Sequence, residues 1–234
     1  MKRRWTASLL AIATLSFTLP AAAALPDPVA DFNLAPGTVY HWAFVTDGVR
    51  DATSTSIADY NAFVTAEANR PGALTAGLGV EWYAIASTAT VDARDNAVVE
   101  GLVLLLNGTR IATSAADLWD GLIGFQFRRD QFDDFIGIAN VWTGTNTAGE
   151  AYHVSATQGA YLGTDWISAT VGYDYTAGPS WVQGAFDAPG THNRFYALSA
   201  PLTAVPLPAA LWGLGSGVAA LALRRRTTAT PRGA

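Results

Sequence analysis

The sequence contains no cysteine. That absence excludes disulfides, thiol nucleophiles and cysteine-ligated zinc together, so the fold must be held by its core. Charge is sparse as well: Asp, Glu, Lys and Arg make up 14% of the residues, and the net charge is −5 with a pI near 5.0. The basic residues concentrate at the two ends, in Lys2 to Arg4 and Arg224 to Arg226, so the middle is more acidic than the whole. It lacks the clustered Lys and Arg of a nucleic-acid footprint. Histidine is scarce too. His41, His153 and His192 stand in no metal spacing such as H-E-x-x-H. No G-x-S-x-G elbow, Walker A loop or G-x-G-x-x-G turn occurs. No internal repeat is evident.

What is present begins with the two ends, which inflate a hydrophobic content of 50%. Lys2, Arg3 and Arg4 precede an apolar run from Ala7 to Leu19, and Ala22-Ala23-Ala24 offers small residues for cleavage. This order predicts a secretory signal peptide over residues 1–24, cut after Ala24. Residues 25–37, rich in proline and small side chains, read as a lead-in to a body spanning 38–204.

The far end has a different order. Val205, Pro206, Leu207, Pro208 and Ala209 form a proline motif, Ala210 to Leu223 is apolar, and Arg224, Arg225 and Arg226 follow. The apolar run stands at the lower edge of what spans a bilayer. The arginines favour the cytoplasmic side, so body and tail are expected on opposite faces of the inner membrane. These three parts resemble the PEP-CTERM sorting signal in its VPLPA variant, spanning residues 205–226, with residues 227–234 left as a cytoplasmic tail. The resemblance implies a Gram-negative envelope protein held transiently in the inner membrane. An exosortase-type enzyme would cut it near the proline motif and leave the body in the envelope, on the outer surface or in the extracellular matrix. It also implies an association with exopolysaccharide or biofilm.

In the body, the aromatic and β-branched stretch Thr38 to Thr46 predicts a strand. Ser56 with Asp59 resembles a capping box, and Ile57, Tyr60, Phe63 and Val64 share one helical face until Pro71-Gly72. Val80 to Ser87 reads as a strand, and the segment around Asp92 and Asp95 as a short helix. Two apolar runs around Asn107-Gly108 predict a hairpin with a type I′ turn; the same triplet with Thr109 fits a glycosylation sequon. Ser114 and Asp117 start another short helix. Glycine, threonine and aromatics then dominate, predicting short strands between long loops. With helices mainly early and strands late, the pattern indicates one α+β domain.

The order of "IADYNAFVTAEA", "WYAIAST", "VDARDN", "LLLNGTRIA", "DLWDG", "VWTGTNTAGE", "DWIS" and "FYALS" resembles the C-type-lectin-like fold, in its endostatin-like branch, over about Tyr40 to Leu202. The resemblance implies a fold alone. The usual disulfides are missing, the lectin calcium and sugar motifs are absent, and Trp119-Asp120 only echoes one of them. The N-terminal zinc histidines of endostatin have no counterpart.

Candidate chemistry is correspondingly thin. Trp142, Trp166 and Trp181 lie in the loop-rich half and are candidates to stack on sugar rings, against the ordinary reading of buried tryptophan. Asp130, Asp133 and Asp134 are weak candidates for a calcium loop, against a solvated ion-pair strip with Arg128 and Arg129. Asp92 and Asp95 fit helix-start charge better than an acid/base pair. The expectation is a secreted, non-enzymatic envelope or matrix protein without catalytic residues or cofactor. A carbohydrate-binding module and an envelope hydrolase whose site only folding assembles are the alternatives.

Overall fold

The computed structural model of the protein describes residues 25–205. The expected signal peptide lies outside the described residues, as do the sorting motif beyond Val205, its apolar run, the arginine cluster and residues 227–234. No helix among the described residues is long and apolar enough to cross a membrane.

The architecture is α+β. Strand β1 (Val39–Val45) is followed by α1 (Ile57–Ala68), β2 (Trp82–Ala84), α2 (Ala93–Asn96), β3 (Leu102–Leu105), β4 (Arg110–Ala112) and α3 (Ala115–Leu118). The second part holds β5 (Asn140–Trp142), β6 (His153–Ser155), β7 (Gln158–Gly159), β8 (Ala169–Tyr173), β9 (Ala185–Asp187), β10 (Arg194–Ser199) and β11 (Leu202–Thr203). The main sheet runs β4-β3-β1-β10-β5-β8-β9; β11 adds to β1, and β2 adds to β10. The hairpin β6-β7 stands apart as a separate two-stranded sheet.

β1 lies inside this sheet because its sequence, VYHWAFV, offers apolar side chains to both faces. Tyr40, Trp42 and Phe44 enter one core with Tyr60 and Val64 of α1, Trp82, Leu104, Trp142 and Phe195. Ala43 and Val45 enter the opposite core with Val103, Leu105, Phe127, Val141, Trp181, Tyr196 and Leu198. The alternation follows the period-two geometry of a strand. β1 pairs parallel to β3 and antiparallel to β10 and β11, so the first and last strands of the body lie side by side.

Both ends of the body are fastened at the same place. Ala204 N–H donates to Thr38 O, and Gly37 N–H donates to Ala204 O. Leu25, Val29, Phe32 and Leu34 pack against the first core, so the lead-in is part of the folded unit. Leu25 and Val205 border one hollow of about 370 Å³, with Tyr40, Trp42 and Leu78 in its lining.

Local signals act with two differences. Tyr60 and Val64 of α1 are buried and Ile57 and Phe63 pack at the edge, as the helical face predicts. Ser56, however, makes no side-chain cap. Asp59, which would complete the box, instead accepts a hydrogen bond from Ser54 Oγ at 2.6 Å. The Asn107-Gly108 hairpin forms, but its turn is not type I′. Of its residues only Gly108 has positive φ, at +81°. Leu105 N–H donates to Thr109 O and Gly108 N–H donates to Leu105 O, which makes a three-residue loop with glycine in the left-handed position. The Phe32 ring rests on Gly108 and leaves no room for a side chain there, and Asn107 Oδ1 accepts from Thr109 N–H within the loop. Ser114 does cap α3, accepting from Asp117 N–H at 3.2 Å.

The stretch "VWTGTNTAGE" is a structural junction. Trp142 Nε1–H is shared between Arg50 O and Thr191 O, each at 3.2 Å. Thr143 Oγ1 donates to Val182 O, Thr145 Oγ1 donates to Thr143 O, and Ser87 Oγ lies 2.9 Å from Thr145 Oγ1. Gly144, at φ +63°, has no room for a side chain: an added Cβ would lie 2.6 Å from both Leu162 N and Ser87 O. Gly144→Ala combines left-handed strain with collision and should cost at least about 3 kcal/mol, lowering Tm by about 6–12 °C. Gly37, at φ +88° with nothing within 4 Å, isolates the backbone effect. Gly37→Ala should cost about 1 kcal/mol, or about 2–4 °C. Thermal unfolding followed by circular dichroism checks the pair; equal losses would remove the packing role assigned to Gly144.

Candidate functional site

The three candidate tryptophans separate by burial. Trp142, on β5, is fully enclosed in the first core with its indole N–H bonded to two carbonyls. Trp181 is fully enclosed in the second core, stacked on Phe127 at 5.7 Å and packed against Trp119 and Tyr196. Neither offers a face to a ligand, because both supply the apolar area that a body without disulfides needs. Trp166 alone stands at the surface, partly exposed in the loop before β8.

Trp166 belongs to an aromatic surface at the β9 edge of the sheet. β9 pairs with β8 so that Phe186 sits beside Thr170, and the Phe186 ring projects outward. Trp166 meets it edge-on at a centroid separation of 5.9 Å, and Tyr152 packs on it at 5.7 Å. Ile167 next to Trp166 is 81% exposed. Beside this set projects the β6-β7 hairpin, with His153, Val154 and Ser155 all exposed. His153 meets Tyr161 edge-on at 5.4 Å. The surface is braced from within. Thr164 Oγ1 donates to Gly159 O and accepts from Trp166 N–H, Tyr152 N–H donates to Gly144 O, and Ala160 N–H donates to Tyr152 O.

The acidic candidates do not converge. Asp130 is buried, and its Oδ1 accepts from the backbone N–H groups of Phe132 and Asp134 at 2.9 and 3.0 Å. It shapes its own loop, in which Asp133 takes a left-handed backbone and Arg129 donates to Asp133 O. Asp134 points to solvent. Among the described residues, no group of three or more His, Cys or carboxylate side chains is placed to hold a metal ion. Of the three carboxylates weighed for a calcium loop, Asp130 has its Oδ1 engaged by its own backbone and Asp134 is exposed.

Burial pushes the carboxyls of Asp130 and Asp133 up from the ordinary range. It does the same for Asp174, whose Oδ1 accepts from Ala139 N–H at 2.9 Å. His41, on β1, is fully enclosed. Its Nδ1 lies 2.8 Å from Ser199 O and its Nε2 accepts from Glu100 N–H at 3.0 Å. These partners fix the neutral tautomer, with the proton on Nδ1. Desolvation holds its pKa below the ordinary value despite the Ser199 hydrogen bond and the nearby Glu100.

Of the three rings in this aromatic surface, the sequence singles out Trp166 and not Tyr152 or Phe186. Phe186 is flanked by Ala185 and Asp187, and alternation alone does not tell which face of an edge strand is open. Among known proteins, no family model matches the chain, and no curated protein matches it either.

A buried neutral histidine links stability to pH. Because the native pKa of His41 lies below 6.5, the unfolded chain binds the proton more readily. Its contribution is complete above about pH 6.5 and is lost as pH falls from there through the native value. The buried carboxylates act in the opposite sense: protonating them favours the native state at acid pH. In urea unfolding, the change in stability from pH 8 to pH 5 should thus be more favourable, as less loss or more gain, for His41→Gln than for the unchanged protein. The variant should also be about 1–3 kcal/mol less stable at pH 8, where buried partners are left unpaired. An unchanged pH difference would remove the role given to His41.

Proposed function

We propose that the protein is a secreted, non-enzymatic envelope or matrix protein whose body binds an exopolysaccharide chain on the Tyr152–Phe186–Trp166 surface. One observation carries this reading. Phe186 is a large ring left 47% exposed, yet it is fixed on two sides by aromatic neighbours. Single exposed apolar residues are ordinary, whereas a braced aromatic group with Ile167 and Val154 nearby has the character of an interaction site. Sugar rings place their C–H faces on aromatic rings and their hydroxyls against polar groups, which the exposed Asp165 and His153, next to Trp166 and Tyr152 in sequence, can supply. A protein partner would use the same apolar surface; the exposed polar residues next to Trp166 and Tyr152 in sequence favour a sugar chain.

The non-enzymatic reading is supported by how the shifted groups are used. General acid–base chemistry needs titratable groups facing one substrate position. Asp130 binds the backbone of its own loop, Asp174 accepts from the distant Ala139 N–H, and His41 is spent on Ser199 and Glu100.

The fold and address belong to the same proposal. The succession β1, α1, β2, α2, the β3-β4 hairpin, the Trp142-x-Gly144 junction and the late strand β10 supports the endostatin-like, C-type-lectin-like reading of the body. The signal peptide and the PEP-CTERM-type tail would carry it across the inner membrane to exosortase-type processing and then to the cell surface or matrix. The proline motif starts flush with the body, because Ala204 is bonded on both sides of its peptide and Val205 follows directly.

Two measurements test this. Retention of the body on polysaccharide from the producing cells should fall about tenfold, or about 1.4 kcal/mol, in Trp166→Ala and in Phe186→Ala, with Tm nearly unchanged. Undiminished retention in both variants would exclude the surface. Intact-mass measurement of the envelope form should place the N-terminus at Leu25 and show the chain cut near the proline motif. Recovery of a C-terminus at Ala234 would refute the sorting reading.

A further inference from the structure

A second surface lies along β2, separate from the aromatic one. β2 pairs with β10 through Trp82↔Ser199, Tyr83↔Leu198 and Ala84↔Ala197. Alternation buries Trp82 and Ala84 and leaves Tyr83 between them partly exposed. Tyr83 is the wall between two open hollows. One, of about 470 Å³, lies between α1 and β2 and includes Asn61 and Glu81 in its lining. The other, of about 340 Å³, includes Asp95, Asn96 and Glu100. Each has the volume of a small-ligand site.

The two hollows share a rigid support. Asn61 Nδ2 donates to Asn96 Oδ1 at 2.8 Å, and Asn96 Nδ2 donates to Asn61 Oδ1 at 2.9 Å and to Ala84 O at 2.8 Å. Ala84 N–H closes the set by donating to Asn61 Oδ1. This amide pair ties α1 and α2 to β2, and each amide keeps capacity for one further hydrogen bond. Tyr83 is oriented by donating its hydroxyl to Glu81. An aromatic ring with pre-fixed amides on both sides suits a ring-sized polar ligand repeated along a chain.

Charge narrows the ligand. Glu81, Asp95 and Glu100 line the hollows, and no Lys, Arg or His does. Among the described residues, none of the three takes part in an ion pair. Arg94, next to Asp95 in sequence, is held by Asp92 and Glu150 instead. A neutral chain would meet the ring and the amides but leave the carboxylates unmatched, and an anionic one would be repelled, whereas a cationic one would replace water at three carboxylates.

We infer that the paired hollows around Tyr83 bind a polycationic amino-sugar chain, with free amino groups at Glu81, Asp95 and Glu100 and a sugar ring against Tyr83. This site does not depend on the Trp166 surface.

Calorimetric titration of the folded body, residues 25–205, with a glucosamine hexamer tests it. The acetylated hexamer and spermidine serve as the uncharged and non-sugar comparisons. The expected result is binding of the free amine at least tenfold tighter than either comparison, weakening as salt rises. Asp95→Asn with Glu100→Gln, both at exposed positions, should weaken it about tenfold while Tm holds. Tyr83→Leu should also weaken it. Equal binding of the acetylated hexamer would overturn the inference, as would equal binding of spermidine or no effect of the carboxylate pair. A loss that follows Trp166→Ala instead would overturn it and assign the sugar chain to the aromatic surface. Failure of the Trp166 surface to retain polysaccharide, with glucosamine binding intact, would sink that reading and leave this one standing.

Discussion

The pairing of β1 with β10 and β11 is the constraint on which the body depends. It joins the start of the domain to its end, and everything between is a set of excursions from that seam. Its strength has an identifiable source. β1 and β10 are buried along nearly their whole length, so each residue contributes to one of two cores on opposite sides of the sheet. Without a disulfide to close the long intervening chain, the entropy of that closure must be offset by contacts at the seam and by the aromatic cores.

The excursions in the second half contain little regular structure, and they are held by side chains bonding the backbone. Thr143, Thr145, Asn146, Asp130 and Trp142 each satisfy main-chain groups that a strand or helix would otherwise pair. This explains the abundance of threonine, asparagine and aspartate there without invoking a ligand. It also explains why acidic residues that look free in sequence are occupied in the folded chain. The two surfaces proposed for binding lie where this economy leaves something over: a braced ring at the β9 edge, and carboxylates beside β2 that face no cationic side chain.

Legibility in the sequence followed distance along the chain. The α1 face, the β3-β4 hairpin and the Ser114 cap depend on neighbours within a few residues, and the sequence alone sufficed to place them. The close approach of Phe32 to Gly108 escaped because the two meet only in the folded chain. Trp142 and Trp181 were indistinguishable from Trp166 in composition and spacing. Their burial depends on Arg50, Thr191, Phe127 and Tyr196, brought close only by the sheet order. The Tyr83 hollows were invisible for the same reason, since α1, β2 and the segment from Asp95 to Glu100 carry no motif singly. His41 gives the opposite lesson: an isolated histidine in an apolar strand is a satisfied core residue here.

The closeness of Leu25 and Val205 has a mechanical meaning. A pull applied between the two ends would meet the β1–β11 pairing at its terminal residues, Val39 and Thr203. The bonds would then be loaded one after another, as in opening a zipper, instead of all at once as in sliding two strands lengthwise. Such an arrangement resists heat through its cores but yields to tension from its own termini. A body tethered at one end only never experiences that load, and for it the seam is as strong as its burial.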